Sequence, residues 1–363
     1  MLESMIDSRE LAALLLDLHR RAGSVSYEDR PDLVEDFGDF IEVDYDSIDV
    51  ETLDMAIRFD KKFWGLDASI RTLRVTGIDI VIATGALVGK TVLTVPGPVR
   101  TRWIAVRPRY AVDDETREIL RKCSDQFYTC SRFTDDVFDG TYSEDTLKDE
   151  VRISVENELL RYWDGSDYLI IDGPLFPLPR ILSRPESRYG KVYLGLIRER
   201  MSVIKERNLE RKVVCVVKRL SHSRYLANIV GSGSTDDHVA LMMARDLLDR
   251  SERMCVYIGT LRICLRYGAE SYVKYAGYVV KRIGHVRHVI RIETADEETL
   301  HDLKHYVASL LDVTGLPRPV DLADRICKRL ASSAYVYLWG IVPLDPTYES
   351  YEELRQAELY LRS

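Results

Sequence analysis

Leu66-Asp67-Ala68-Ser69-Ile70-Arg71-Thr72-Leu73-Arg74-Val75 is followed by Ile78–Thr84 and Leu87–Val95, two more apolar, β-branched runs set off by Gly77 and Gly85. Runs of this composition, punctuated by glycine, predict strands joined by tight turns. From Phe63 to Val95 the chain is therefore expected to form an antiparallel meander of about three strands, with Asp67 in the first. A second run, Tyr168-Leu169-Ile170-Ile171, ends in Asp172-Gly173 and has the length of a core strand. Each aspartate is thus a carboxylate on a segment that otherwise reads as buried strand. Burying an ionised carboxylate without compensation costs several kcal/mol, so each needs a metal ion, a basic side chain or a cap. If the two meet on one sheet, a shared divalent cation is the economical partner.

Outward from these runs, residues 5–22 carry Leu11, Leu14, Leu15 and Leu18 at helical spacing and predict an amphipathic helix. The stretch 28–60 predicts a loop and then a helix near 50–60. Residues 113–123 and 144–163 read as helices. After the Asp172 strand, Pro174-Leu175-Phe176-Pro177-Leu178-Pro179 cannot continue a central strand. A long basic helix over about 186–208, a strand at Lys212–Val217 and a helix near 236–250 follow. Next come β-rich segments at 254–266, 272–282 and 287–293, then helices at 296–312 and 319–331 before Tyr335–Val342. A meander followed by such α/β units predicts a mixed sheet flanked by helices.

The chain has 363 residues, 46% of them hydrophobic, enough for one elaborate domain or two modest ones. No apolar run reaches the roughly 18 residues needed to span a bilayer. Met1-Leu2-Glu3-Ser4-Met5-Ile6-Asp7 lacks the basic-then-apolar pattern of a secretory signal, so a cytoplasmic protein with no membrane partner is expected. Cys123, Cys130, Cys215, Cys255, Cys264 and Cys327 form no C-x-x-C pair, which argues against a zinc ribbon or thioredoxin-like chemistry and leaves buried thiols. Three Asn and two Gln in the whole chain fit a thermophile.

The net charge of −8 conceals an asymmetry. Residues 28–60 hold 13 acidic side chains against Arg30 and Arg58, whereas residues 180–225 hold 13 basic ones against Glu186, Glu199, Glu206 and Glu210. Residues 262–291 add seven basic groups against Glu270. Each run alone reads as a solvated helix face. Two basic segments flanking a carboxylate site favour a phosphate-rich ligand.

On the helix before Asp172, Glu156 falls inside the apolar arc of Val151, Val155, Leu159 and Leu160, while Glu158 lies nearer its edge. Glu156 is either a site residue or a partner of Arg152 or Arg161. Lys218 closes Val213-Val214-Cys215-Val216-Val217 and is either a stabiliser of phosphate charge or an ordinary strand-end cation. His222, His285 and His288 lack an H-x-x-x-H spacing and read as surface or structural. Gly231-Ser232-Gly233-Ser234 and Gly85-Ala86-Leu87-Val88-Gly89-Lys90-Thr91 miss the spacing of a phosphate loop and read as turns, which disfavours a nucleotide-hydrolysing motor. Carboxylates from strands and a helix, with a lysine nearby, suit hard cations such as Mg²⁺ or Mn²⁺. Two such ions about 4 Å apart would serve phosphodiester hydrolysis.

At Gly65-Leu66-Asp67-Ala68-Ser69, Ile170-Ile171-Asp172-Gly173-Pro174-Leu175 and Val216-Val217-Lys218-Arg219-Leu220-Ser221 the chain resembles the NurA nucleases, prokaryotic DNA-end-processing enzymes that work with the HerA translocase. The similarity continues through Arg291-Ile292-Glu293 and Gly315-Leu316-Pro317-Arg318-Pro319-Val320-Asp321-Leu322-Ala323, over about residues 60–330. The resemblance implies an RNase H-like core and three regions: an N-terminal helical and acidic segment (1–60), the nuclease domain (61–345) and a C-terminal tail helix (346–363). It also implies a homodimer that docks on a HerA-type hexameric ATPase during double-strand-break resection. Its activity would be Mn²⁺-dependent cleavage of single- and double-stranded DNA, as a 5′–3′ exonuclease and single-strand endonuclease.

Carried over by position, Asp67, Glu156 and Asp172 would bind metal, with Glu158 as competitor to Glu156, and Lys218 would contact phosphate. Arg219 and Arg224 would add nucleic-acid contacts, and Tyr275 or Tyr278 the family's site tyrosine. Two positions depart from the pattern. Ala68 replaces the glycine after the first aspartate, and Ala323-Asp324 stands where the family presents Ala-His. An aspartate still binds a hard cation, so Asp324 is expected in the fourth ligand position. That change also keeps open a catalytically impaired relative that binds DNA ends or a partner ATPase. A small-phosphoester hydrolase is a third reading, one that leaves the basic segments unexplained. The acidic segment 28–60 would either repel DNA from one face or dock a basic partner.

Overall fold

The structure is a computed structural model that describes residues 41–53, 60–177, 186–249, 255–342 and 345–362. The helix expected over residues 5–22 lies outside these. Eleven strands make one mixed sheet: β1 (Ile41–Asp44), β2 (Val50–Leu53), β3 (Phe63–Val75), β4 (Ile78–Val88), β5 (Val92–Val95), β6 (Ile104–Pro108), β7 (Tyr168–Asp172), β8 (Val213–Val217), β9 (Cys255–Tyr267), β10 (Glu270–Ile283) and β11 (Val286–Thr294). The order is β1-β9-β10-β11-β8-β7-β3-β4-β5, with β2 also on β9 and β6 also on β4. Among the described strands, β3–β7 and β7–β8 are the parallel pairs. Of these, β7 and β8 are near-continuous apolar runs, as strands covered on both faces are.

The described helices are α1 (Asp114–Lys122), α2 (Glu144–Tyr162), α3 (Arg188–Glu206), α4 (Tyr225–Ile229), α5 (Asp236–Leu248), α6 (Glu297–Leu310), α7 (Arg318–Ile341) and α8 (Tyr348–Arg362). None is long and apolar enough to cross a membrane. Alternation along β7 sorts the two layers. Leu169 and Ile171 join the core built with Val151, Val155 and Leu159 of α2 and Leu196 of α3. Ile170 faces the other way, into the core with Leu300, Leu303 and Val307 of α6 and Val320 of α7.

Three expectations need correction. Gly85 does not end a strand: β4 runs on to Val88, in register from Gly65↔Val88 to Val75↔Ile78 across the turn at Gly77 (φ +75°). A Cβ at Gly85 would lie 2.7 Å from Val155 Cγ1 and 2.6 Å from Leu159 Cδ1, so this glycine lets α2 press onto the sheet rather than turning the chain. Residues Val50–Leu53 are strand β2 on β9, where a helix was expected. The helix expected at 319–331 does not stop there; α7 continues to Ile341, where Tyr335 packs with Leu73, Val75 and Ile82 of the sheet.

Pairing also explains much of the charge asymmetry. In the acidic segment Asp44 meets Arg262, Glu42 meets Arg266 and Glu51 meets Lys304. The basic helix α3 is largely paired, through Arg188–Asp136, Arg198–Glu270 and Arg200–Glu156.

Candidate metal centre

The central parallel pairing sets the site. β3 and β7 pair as Leu66↔Ile171, so one residue further the carboxylates of Asp67 and Asp172 leave neighbouring strands side by side. Asp172 shares its face with Ile170, two residues back. That is the face covered by α6 and α7. A third carboxylate arrives from α7, whose first turn lies against β3: a Cβ at Gly65 would stand 2.0 Å from the Pro319 carbonyl oxygen. Glycine is required there for close approach, and that approach delivers Asp324. One carboxylate oxygen each from Asp67, Asp172 and Asp324 fall within 4.8 Å of one another. All three are buried, at 6%, 8% and 9% exposure.

Such crowding has an electrostatic consequence. Among the described residues Asp67 accepts from two donors of modest strength, the Ala68 N–H at 2.8 Å and the Cys327 thiol at 3.5 Å. Burial first, then repulsion from Asp172, Glu156 and Asp324, pushes its carboxyl up to about 8. Asp172 is also raised by burial, against the pull of Lys218, whose Nζ lies 2.5 Å from its Oδ2. Asp324 is paired with Lys328 at 2.7 Å, one turn along α7. Three convergent carboxylates, one of them (Asp67) without an ion pair among the described residues, form the all-oxygen donor set that Mg²⁺ and Mn²⁺ prefer. The residues present therefore fit a hard divalent cation.

The other expected site residues divide. Glu156 is buried, but its oxygens are held by Arg152 at 2.6 Å and Arg200 at 2.5 Å, and it stands outside the three-carboxylate cluster. The Arg152 pairing is the alternative that its helical spacing left open. Arg200 in turn donates to the Pro174 carbonyl at 3.2 Å, so Glu156 reaches the loop after Asp172 through that guanidinium. Glu158 points outward to Arg161. Arg219 is exposed, and Arg224 stands at the start of α4. His222, His285 and His288 take no part in the cluster.

Two features escaped sequence reading. Lys328 was legible only as the i+4 partner of Asp324, once α7 is known to be helical there. The second is a buried network under the site loops. Glu293 accepts from Lys274 Nζ at 2.9 Å, from Arg291 Nε at 2.8 Å and from the Leu175 N–H at 2.9 Å. Against the burial that pushes its carboxyl upward, Lys274 and Arg291 hold Glu293 below the usual range. Asp236 accepts from the Tyr225 and Ala227 N–H groups and from Tyr278 Oη at 2.6 Å, while Arg291 bridges toward it through Ser223. Tyr278 thus serves this network, and Tyr275 packs with the α6 core. The network pins the segments that follow β7 and β8, the strands that lead to Asp172 and Lys218.

A structure of the NurA nuclease from Sulfolobus solfataricus aligns over 93% of this chain and 97% of its own, at 15% identity and a TM-score of 0.44. One of NurA with manganese covers 93% and 100% at 10% identity and 0.41. Another, bound to dAMP and manganese, covers 73% and 83% at 9% identity and 0.37. No curated protein sequence matches. The model of the NurA domain matches residues 61–329, nearly three quarters of the sequence and every strand from β3 to β11. The chain belongs to the NurA family.

Proposed function

We propose that this NurA-family chain is a metal-dependent deoxyribonuclease in which Asp67, Asp172 and Asp324 hold Mn²⁺ or Mg²⁺, two ions in the complete site. The observation that carries the reading is the meeting of three buried carboxylates within 4.8 Å at one face of the central strands. Bound there, a divalent cation supplies charge neutralisation at a phosphodiester and a more acidic water. The chain's own groups do the rest. Lys218 exchanges its contact with Asp172 for a non-bridging phosphate oxygen, where an ammonium stabilises developing charge. Arg219 and Arg224, on the segment after β8, meet the adjoining phosphates of the strand. Glu156 is a positioning residue in this scheme, acting through Arg200 on the Asp172 loop.

The family supports the finer assignments. They are an RNase H-like core around β3, β7 and β8, a homodimer, and 5′–3′ exonuclease and single-strand endonuclease action with a HerA-type hexameric ATPase in break resection in the cytoplasm. The regions 1–60, 61–345 and 346–363 are proposed as the acidic N-terminal segment, the nuclease domain and the tail helix.

The test is incubation of the purified full chain with end-labelled linear duplex and single-stranded DNA in Mn²⁺. Cleavage that stops with EDTA and is abolished in Asp172→Asn is expected; full activity in that folded variant sinks the assignment. One observation favours a second reading, a DNA-end or ATPase binder: Lys218 and Lys328 already offset two of the three carboxylates. A binder shows no Mn²⁺-linked rise in melting temperature, whereas the nuclease does.

A further inference from the structure

The geometry points to a second nucleic-acid site, a single-strand stacking pocket at the β5–β6 edge of the sheet that takes one unpaired nucleotide upstream or downstream of the cleaved bond. This rests on the nuclease reading above. β5 pairs with Gly85–Val88 of β4 and β6 with Ile78–Ile82, so both use the same edge of β4 and the chain between them swings outward. Beneath that excursion lies a cavity of about 640 Å³. Its volume falls in the range of small-ligand sites.

The walls have the composition that unpaired nucleotides select. Trp103 and Phe127 are both half-buried and line the cavity, Trp103 while also packing against the core behind it. Arg102 donates to the Ser124 carbonyl and lies 4.5 Å above the Tyr128 ring, which fixes its guanidinium at the wall. Arg100 is exposed on the lining of the cavity. Aromatic faces for bases and guanidinium groups for phosphates are the two components of sequence-tolerant single-strand binding. Asp125 is the one carboxylate on the lining, against these two cations.

Position argues for the same ligand. Asp67 stands opposite Ala86, and Ala86 opposite Thr94, so β5 is two strand steps from the metal centre, or on the order of 10 Å. The cavity opens just beyond β5. A strand whose phosphate lies at the three carboxylates reaches it within a few nucleotides. Rigid duplex cannot present an unstacked base there, so the pocket selects frayed or single-stranded ends.

The test uses the full chain with EDTA, a fluorescein-labelled oligothymidine and a blunt duplex, read by fluorescence anisotropy. Phe127→Ala is expected to weaken oligothymidine binding about tenfold or more while leaving duplex binding unchanged. Arg100→Glu, an exposed substitution that spares the core, is expected to weaken it and flatten its salt dependence. The Mn²⁺-linked melting shift stays at its wild-type value in both, which reports an intact fold and metal centre. Wild-type affinity for oligothymidine in both variants overturns the pocket, as does a wild-type protein that cleaves duplex DNA yet has no affinity for oligothymidine. A wild-type protein that cleaves no DNA, but whose oligothymidine binding depends on Phe127, overturns the nuclease reading and leaves the pocket standing.

Discussion

Asp67→Asn is expected to stabilise the metal-free protein while destroying its metal site. In the folded chain the Asp67 carboxyl is raised from 3.8 to about 8 by burial and by its acidic neighbours. Between those values the folded state holds a proton that the unfolded state has released, so stability falls as pH rises. The contribution is complete below the unfolded value and gone above the folded one. At 1.36 kcal/mol per pH unit, the loss from this one group amounts to about 4 kcal/mol between pH 4 and pH 7. Asparagine reproduces the uncharged acid: its oxygen still accepts from the Ala68 N–H, and it removes the charge that Asp172, Glu156 and Asp324 repel. Urea unfolding of both proteins in EDTA across this range should therefore give curves that diverge with rising pH, the variant becoming the more stable. Adding Mn²⁺ should reverse the order, because only the wild type gains a ligand. Parallel curves from pH 4 to pH 8 would refute the electrostatic account of the cluster.

Calorimetry of Mn²⁺ binding at pH 7 in buffers of different ionisation enthalpy should show about one proton released, since the metal displaces the Asp67 proton, and affinity should climb as pH approaches about 8. Asp324→His should keep a Mn²⁺-linked melting shift that Asp324→Ala loses; equal loss in both would remove Asp324 from the ligand set. Lys274→Met takes one of two cations from the buried Glu293, leaving Arg291, and should cost about 1.5–3 kcal/mol; a double-mutant cycle of unfolding energies with Glu293→Gln measures the Lys274–Glu293 coupling. Gly65→Ala drives a methyl onto the Pro319 carbonyl and should lower stability and Mn²⁺ affinity together; a destabilised variant with unchanged affinity would separate α7 placement from the site.

The strands were legible because their signal is local. β3, β7 and β8 announce themselves by apolar runs, and the two aspartates by breaking those runs. Asp67 and Asp172 could be singled out for the same reason: a charge in an apolar segment is visible without tertiary knowledge. Gly85 misled because a glycine that frees the chain to turn and one that admits a neighbouring helix have the same letter, and only Val155 and Leu159 distinguish them. Val50–Leu53 misled because it lies among acidic residues that give a short edge strand no period of its own; β9 supplies the pairing from some two hundred residues away. Glu156 was legible as buried but not as to its partner. Arg152 lies on its own helix and could be foreseen, whereas Arg200 comes from α3 and could not.

At Asp324, where the resemblance leads one to expect a histidine, the local charges show how a carboxylate is tolerated. Replacing a neutral imidazole donor by a carboxylate adds one negative charge to a site where Asp67 is already driven to keep its proton. Uncompensated, that charge would raise Asp67 and Asp172 further and oppose folding. Lys328 sits one helical turn on, with Nζ 2.7 Å from Asp324, and the pair is neutral as a unit. Burial opposes the charged lysine, yet the contact with Asp324 raises its ammonium above the ordinary value, so the compensation persists through neutral pH. A hard cation drawn to the three carboxylates then meets more oxygen charge than a histidine-bearing site presents, at the cost of displacing one lysine from Asp324. If Asp324 takes the proposed fourth ligand position, the Asp324–Lys328 pair rather than Asp324 alone would stand in for the histidine that the resemblance leads one to expect, and Asp324→His should be best accepted when Lys328 is made neutral with it.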